Sequence, residues 1–305
     1  MSANSSKLCV QVPASTANLG PGFDVLGMAL GLHLRCTLTE SSDGFHIVAS
    51  GTDADTITKD ETNLIWRAFS RLAGGKENHN FQLEIDNHIP IGKGLGSSAA
   101  ATVAGLALAN EWHNFGHGKE KLIRIATEME GHPDNVAAAA RGGLVMSCQT
   151  DDGDVISLNI ETQGVLEIAL VVPQFKLSTE KARSALPASY SRKDAVFNLQ
   201  RLALLLASLR DGHHELLAEA MRDRMHQPFR AALIPGFAEM LKLKGIPGMH
   251  GIALSGAGPS VLALCSKNTF SAGEAISSIF RKHGIESKLY NLPVDSHGLV
   301  VEWAK

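Results

Sequence analysis

PIGKGLGSSAAATVAGLALA, Pro90–Ala109, packs three glycines and two serines into its first nine residues and then turns alanine-rich. The preceding NFQLEIDNHIP alternates Phe81, Leu83 and Ile85, so the order is strand, glycine loop, helix. Glycines there remove side chains, letting backbone N–H groups approach phosphate oxygens, and the helix start aims its positive end at the anion. A Walker A loop needs G-x-x-x-x-G-K-[ST]; Lys93 follows Gly92 but is followed by Gly94, so that pattern fails. Gly94, Gly96 and Ala99 do satisfy G-x-G-x-x-[GA]. The dinucleotide fingerprint also requires a second strand ending in an acidic residue about 20 positions on. EWHNFGHGKEKL occupies that region and reads as a loop entering a helix.

The 305 residues are 44% hydrophobic and 19% charged with a net charge of −3, an ordinary globular composition without the basic surplus of a nucleic-acid binder. The first residues, MSANSSK, carry no apolar signal core, and no apolar run reaches the roughly 18 residues of a membrane span. Cys9, Cys36, Cys148 and Cys265 are scattered without C-x-x-C spacing, which fits buried, reduced thiols in a cytoplasmic protein.

LCVQVPA, LHLRCTLTES and GFHIVASG read as strands, ETNLIWRAFSRLAG as a helix, and Ser97 to Trp112 as another. KEKLIRIATEMEG reads as a helix that leads into HPDNVAAAARGG, and LVMSCQ and VLEIALVVP as strands. DAVFNLQRLALLLASLRDG and HHELLAEAMRDRMHQPFRAAL read as two amphipathic helices, with PGFAEMLKLKG a third. MHGIALSGAGPSVLALCS is a strand, a glycine turn and more apolar chain, followed by helix SAGEAISSIFRKHG and strand ESKLYNLPV. Strands and helices mix without a βαβ beat, which indicates α+β. The domain junction is expected within Gly153–Gly164, giving segments 1–160 and 161–305.

VPASTANLGPGFDVLGMAL (Val12–Leu30), PIGKGLGSSAAA and GIALSGAGPSVLAL (Gly251–Leu264) occur in this order and resemble the three motifs of the GHMP small-molecule kinases. Within that superfamily, GFDVLG, EGHPDNVAAA, LSTEKAR and the pair QPFR and LIPGF are similar to the homoserine kinase family. The resemblance covers nearly the whole chain. It implies a two-domain fold, with an amino-terminal domain like ribosomal protein S5 domain 2 and a ferredoxin-like carboxy-terminal domain. It further implies an ATP- and Mg²⁺-dependent transfer to the side-chain hydroxyl of L-homoserine, on the route to threonine, in a homodimer. Another GHMP kinase, such as a mevalonate-type enzyme, and a non-catalytic binding protein of this fold remain as alternatives.

The resemblance distributes roles along the sequence. Pro90, Ile91, Gly92, Lys93, Gly94, Leu95, Gly96, Ser97, Ser98, Ala99 and Ala100 form the ATP loop, joined by Gly256 and Gly258 of the third motif. Ser98 and Glu130 hold Mg²⁺, as hard oxygen ligands suit. The residue types alone also allow a plainer account, Ser98 as a helix cap and Glu130 as a solvated helix residue. Asn63 either touches adenine or starts a helix. Arg183 and Arg230 take the acceptor carboxylate, which a planar guanidinium can pair through two oxygens. Asn18, Asp24, His132 and Asn135 read its ammonium and hydroxyl, with Asp24 the ammonium partner. Asn135 occupies the slot where other superfamily members place a basic aspartate, and an amide cannot take a proton as a base. The hydroxyl proton then passes to phosphate; Asp134 acting as base is the second possibility. HHELLA, from His213, lacks a second histidine at zinc spacing. Phe229 stands where many homoserine kinases carry tyrosine.

Overall fold

A computed structural model of the chain describes residues 7–74, 80–164 and 166–304; the polar segment 1–6 lies outside the described residues. The amino-terminal strands β1 (Lys7–Asn18) and β2 (Gly22–Glu40) form a long hairpin. With β3 (His46–Gly51), β4 (Phe81–Asn87), β5 (Leu144–Gln149) and β6 (Val155–Ile160) they build the first sheet. Its path runs β3-β4-β2-β1, with β5 also paired to β2 and β6 to β5; only β3–β4 is parallel. Alternation fixes which face is buried: Phe81, Leu83 and Ile85 of β4 point into the core while Glu84 is exposed.

Four helices cover that face: α1 (Leu64–Ala73), α2 (Ser97–Trp112), α3 (Lys119–Glu130) and α4 (Asp134–Arg141). Small residues surround α2 on nearly every side, so it runs through the core rather than over it. A Cβ at Gly105 would lie 2.0 Å from the Ile65 carbonyl oxygen, which shows how closely α1 and α2 cross.

The second sheet contains β7 (Glu167–Pro173), β8 (Met249–Leu254), β9 (Val261–Cys265) and β10 (Ser287–Leu292), antiparallel in the order β10-β7-β9-β8. Renumbered within the domain this is 4-1-3-2, the ferredoxin-like order. Between β7 and β8 the chain inserts α5 (Thr179–Ser184), α6 (Arg192–Asp211), α7 (Leu217–Ala220), α8 (Gln227–Arg230) and α9 (Phe237–Met240). After β9 comes α10 (Thr269–Lys282), whose Ile276 and Phe280 cover one sheet face. The opposite face, through Ile168, Leu170 and Leu262, joins the core of the first sheet together with Leu205 and Leu209 of α6.

Several elements differ from the sequence expectation. The segment expected as a junction contains β6, hydrogen-bonded to β5. The strand β11 (Val300–Ala304) pairs with β1 at the edge of the first sheet, although it falls in the second expected segment. The stretch from His213 is not one helix. Its chain breaks after α7 because the Asp223 carboxylate accepts N–H bonds from Met225, His226 and Gln227 and starts a new turn there. PGFAEMLKLKG yields only the single turn α9. All four cysteines are free, and Cys36 and Cys265 are buried as expected, but Cys9 is half-buried and Cys148 exposed. Among the described residues no helix is long and apolar enough to cross a membrane.

Candidate active site

A cleft of about 330 Å³ opens where the glycine loop, the β1–β2 turn, the β8–β9 turn and α5 meet. The loop owes its shape to packing that leaves no room for side chains. Gly94 and Gly96 have φ of 77° and 63°. A Cβ on Gly94 would lie 2.3 Å from the Ser255 carbonyl oxygen, and one on Gly96 2.1 Å from Ser15 Oγ. Gly96 is the N-cap of α2, and the N–H groups of residues 94–98 donate to no acceptor among the described residues. They stand at the positive end of a sixteen-residue helix, an arrangement suited to phosphate.

The three motifs are sewn together at this loop. Ser255 Oγ donates to Gly94 O (2.7 Å) and lies 2.9 Å from Thr16 Oγ1. Gly256 N donates to Ala17 O, and Ser15 N to Leu95 O, both at 3.1 Å. Asn18 Nδ2 donates to Gly256 O (2.9 Å) while its Oδ1 accepts from Asp24 N (3.0 Å). Asn18 thereby fixes a turn in which it, Leu19 and Asp24 all have positive φ, backbone strain that is concentrated at functional sites.

The Lys93 ammonium is turned out of the cleft. It donates to the carbonyls of Pro173, Gln174 and Phe175, clamping the loop to the end of β7. Burial there holds its pKa below the ordinary lysine value. Pro90, Ala100 and Gly258 likewise do not line the cleft, whereas Ile91, Gly92, Leu95, Ser97, Ala99 and Gly256 do.

Behind the loop, Glu130 at the end of α3 reaches α2: its Oε1 accepts from Ser98 Oγ (2.8 Å) and Thr102 Oγ1 (2.7 Å). Two hard oxygen donors thus converge beside the amides, a set that fits a divalent ion whose remaining positions are phosphate and water. Among the described residues no cluster of three or more histidine, cysteine or acidic side chains forms an all-protein metal cage.

Ile57, Leu64, Ile65, Ile85 and Leu34 line an apolar end of the cleft. Asn63 borders it but spends its amide locally. Its Oδ1 caps α1 by accepting from Ile65 N and Trp66 N, and its Nδ2 donates to Thr58 O.

The other end is polar. Arg183 of α5 forms a two-pronged ion pair with Asp24, at 2.8 and 3.1 Å. Arg230 of α8 is 1% exposed, and no acidic side chain among the described residues lies within ion-pair distance. Burial, reinforced by the nearby Arg183 charge, pulls its pKa down to about 10. His132 Nδ1 lies 2.7 Å from Asp134 Oδ1, a hydrogen bond that raises the histidine's pKa. Asp134 Oδ1 also accepts from Asn135 N (2.7 Å), and Asn135 Oδ1 accepts from Ser15 Oγ (3.0 Å).

Three residues in or behind the cleft carry no expectation from the sequence. Phe23 carries Arg183 and Arg230 within 5.6 and 5.3 Å of its ring centroid. Thr179 lines the cleft beside Arg183. His226 stands one residue before QPFR and bonds to Arg230. The aromatic in GFD was the only local hint of the first; the other two carry no signal apart from their neighbours. Phe229 is 38% exposed and faces Tyr190 edge-on rather than lining the cleft.

Residues 63–143 match the GHMP kinases N terminal domain, and residues 205–286 the GHMP kinases C terminal domain. The chain is 45% identical over 295 residues to the homoserine kinase of Desulfitobacterium hafniense, covering 96% of this chain and 99% of that one. The chain belongs to the homoserine kinase family of GHMP kinases. The homoserine kinase of Solibacter usitatus is 43% identical, covering 98% of each chain. The crystal structure of homoserine kinase from Cytophaga hutchinsonii superposes with a TM-score of 0.86 at 29% identity, covering 99% of each chain. The two matched domains contain the glycine loop and the β8–β9 turn, two of the segments that meet at the cleft.

Proposed function

We propose that this chain is a homoserine kinase, transferring the γ-phosphate of ATP to the side-chain hydroxyl of L-homoserine and releasing O-phospho-L-homoserine and ADP. The observation that carries the reading is one cleft with two complementary ends. Unclaimed amides at a helix start face one end; Asp24, Arg183 and the buried Arg230 face the other.

In this reading the amides of residues 94–98 hold the β- and γ-phosphates, with the apolar wall around Ile57 and Ile85 beside the base. Ser98 and Glu130 hold Mg²⁺, which when bound neutralises phosphate charge. Arg230 takes the substrate carboxylate. Asp24, released from Arg183, takes the ammonium, and the freed Arg183 reaches the carboxylate or the transferring phosphate. His132 and Asn135 orient the hydroxyl for in-line attack. The new oxygen–phosphorus bond forms as the bond from the γ-phosphorus to the bridging oxygen breaks, and the hydroxyl proton moves to the transferred phosphate. Asp134 Oδ1 is occupied by His132 and Asn135 N, which supports a positioning role rather than a base. Positioning and charge stabilisation are sufficient for a loose phosphoryl transition state.

The test is ADP release with ATP and Mg²⁺ across L-homoserine, D-homoserine, L-serine, L-threonine, mevalonate and galactose. Turnover highest on L-homoserine supports the reading. Turnover highest on mevalonate keeps the kinase and discards the acceptor site. ATP binding without turnover on any acceptor leaves a binding protein. Glu130→Gln should raise the Mg²⁺ concentration needed for half-maximal rate; an unchanged requirement removes Glu130 from the metal site. The cytoplasmic setting and the homodimer belong to the same proposal, as does a division at 160/161 with Val300–Ala304 returned to the first part. An apparent mass of 32.4 kDa in sedimentation equilibrium would exclude the dimer.

A further inference from the structure

Arg230 is a fully buried cation whose guanidinium is held by its near edge. Its Nε donates to Ala182 O (3.2 Å), and its Nη1 to Gly256 O (3.2 Å) and to His226 Nδ1 (3.1 Å). Its Nη2 donates to no acceptor among the described residues, and the residue lines the cleft. One of those three holding groups is a side chain with a choice of protonation state.

His226 is itself 0% exposed, and its two ring nitrogens have partners of opposite demand. Nε2 lies 2.7 Å from Gly20 O, and a carbonyl oxygen only accepts, so Nε2 carries a proton. Nδ1 faces arginine, which only donates, so Nδ1 must be bare. The two partners, on different parts of the chain, therefore select the same neutral tautomer. Burial and the Arg230 charge both oppose protonation, against the pull of Asp223 at 3.6 Å and of Asp24. The Asp223 carboxylate is shared among the N–H groups of Met225, His226 and Gln227 and the Asn198 amide, which sets the turn that delivers the ring. Phe23 stacks on the imidazole at 5.3 Å.

We propose that His226, as the neutral Nε2–H tautomer, is the positioning residue that aims Arg230 at the substrate carboxylate, linking it to the first-motif turn at Gly20. The inference rests on the reading of Arg230 as the carboxylate's partner. His226 touches no substrate; it holds the guanidinium edge that points away from it.

Two isosteric replacements separate the two bonds. His226→Asn keeps an acceptor near the Nδ1 position and loses the bond to Gly20. His226→Gln keeps a donor near the Nε2 position and loses the acceptor for Arg230. With L-homoserine, His226→Gln should raise KM at least tenfold while kcat and the KM for ATP stay within twofold. His226→Asn should recover most of that loss. With 2-aminobutane-1,4-diol, which lacks the carboxylate, the same variants should change KM less than twofold. An equal penalty on both acceptors, or an asparagine variant no better than the glutamine variant, overturns the inference. If the wild-type protein itself fails to prefer L-homoserine over the diol, the reading of Arg230 is what fails, and the inference falls with it. Should either variant not fold, ¹⁵N NMR of ring-labelled wild-type protein reads the tautomer directly, and a protonated Nδ1 at neutral pH overturns the proposal.

Discussion

At the loop end of the cleft the groups that face a ligand are main-chain amides, shaped by glycines that pack against Ser15 and Ser255. At the opposite end they are side chains, and these differ among themselves: Arg183 is 38% exposed and paired to Asp24, whereas Arg230 is buried without an acid. A backbone site is indifferent to what its residues carry so long as they carry nothing. A side-chain site depends on chemical identity and on whatever holds each group still. The first should fail on addition of a methyl group, the second on exchange of one cation for another.

The largest effect is expected for Gly94→Ala. Its Cβ would meet the Ser255 carbonyl at 2.3 Å and the Gly258 carbonyl at 2.7 Å, at a φ of 77°. A misplacement of about 1 Å costs about 10²-fold in rate, so kcat should fall by that order, with a lowered Tm. Activity within tenfold of wild type would break the contrast at the loop end. Next, Arg230→Lys should lower kcat/KM for L-homoserine by about 30-fold, since a charged hydrogen bond contributes about 2 kcal/mol. Arg183→Lys keeps a cation at a half-exposed position, where solvent weakens whatever contact it makes, and should lose about fivefold or less. Equal losses in steady-state kinetics would erase the distinction between the two arginines. Asp134→Asn retains an acceptor for His132 and Asn135 N and should stay within about tenfold of wild-type kcat. Loss of a general base costs about 10²–10⁴-fold, and a drop of that size would make Asp134 the base.

The smallest effect concerns pH. Burial and Arg230 hold the His226 pKa below the ordinary histidine value, opposed by Asp223 and Asp24. The unfolded chain takes up a proton that the folded protein excludes. Stability linked to this group is therefore full above about pH 6.5 and declines as pH falls from there toward the folded value. Between pH 7.5 and 5.5 the wild-type protein should lose more stability than His226→Asn. Parallel losses in denaturant titrations would remove His226 as the source.

Much of this architecture was legible because its signals are local. The boundaries of α2 at Ser97 and Trp112 follow from a glycine loop and an apolar run lying next to each other in the chain. The elements that were missed depend on distant partners. VISLNI becomes β6 only by pairing with β5, and its exposed Ile156 and Leu158 resemble neither a core strand nor a loop. The segment from His213 has helical periodicity throughout, but the Asp223 carboxylate, oriented by Asn198, outcompetes the helix for three amides. For the cleft, the family resemblance pointed to Arg183, Arg230 and Asp24 but not to the ion pair that joins two of them. Lys93 was placed in the ATP loop by the resemblance; three carbonyls at the end of β7, some eighty residues away, take its ammonium and keep it out of the cleft.

The strand that closes the first sheet has a consequence for synthesis. Lys7–Gln11 leaves the ribosome first of the described chain, and its outer hydrogen bonds belong to Val300–Ala304, which leaves last. While the rest is being made, that edge of β1 offers unpaired N–H and C=O groups to any extended neighbour. The sheet can be finished only after translation has passed Ala304, so that seam stays open while everything between the two strands is being made.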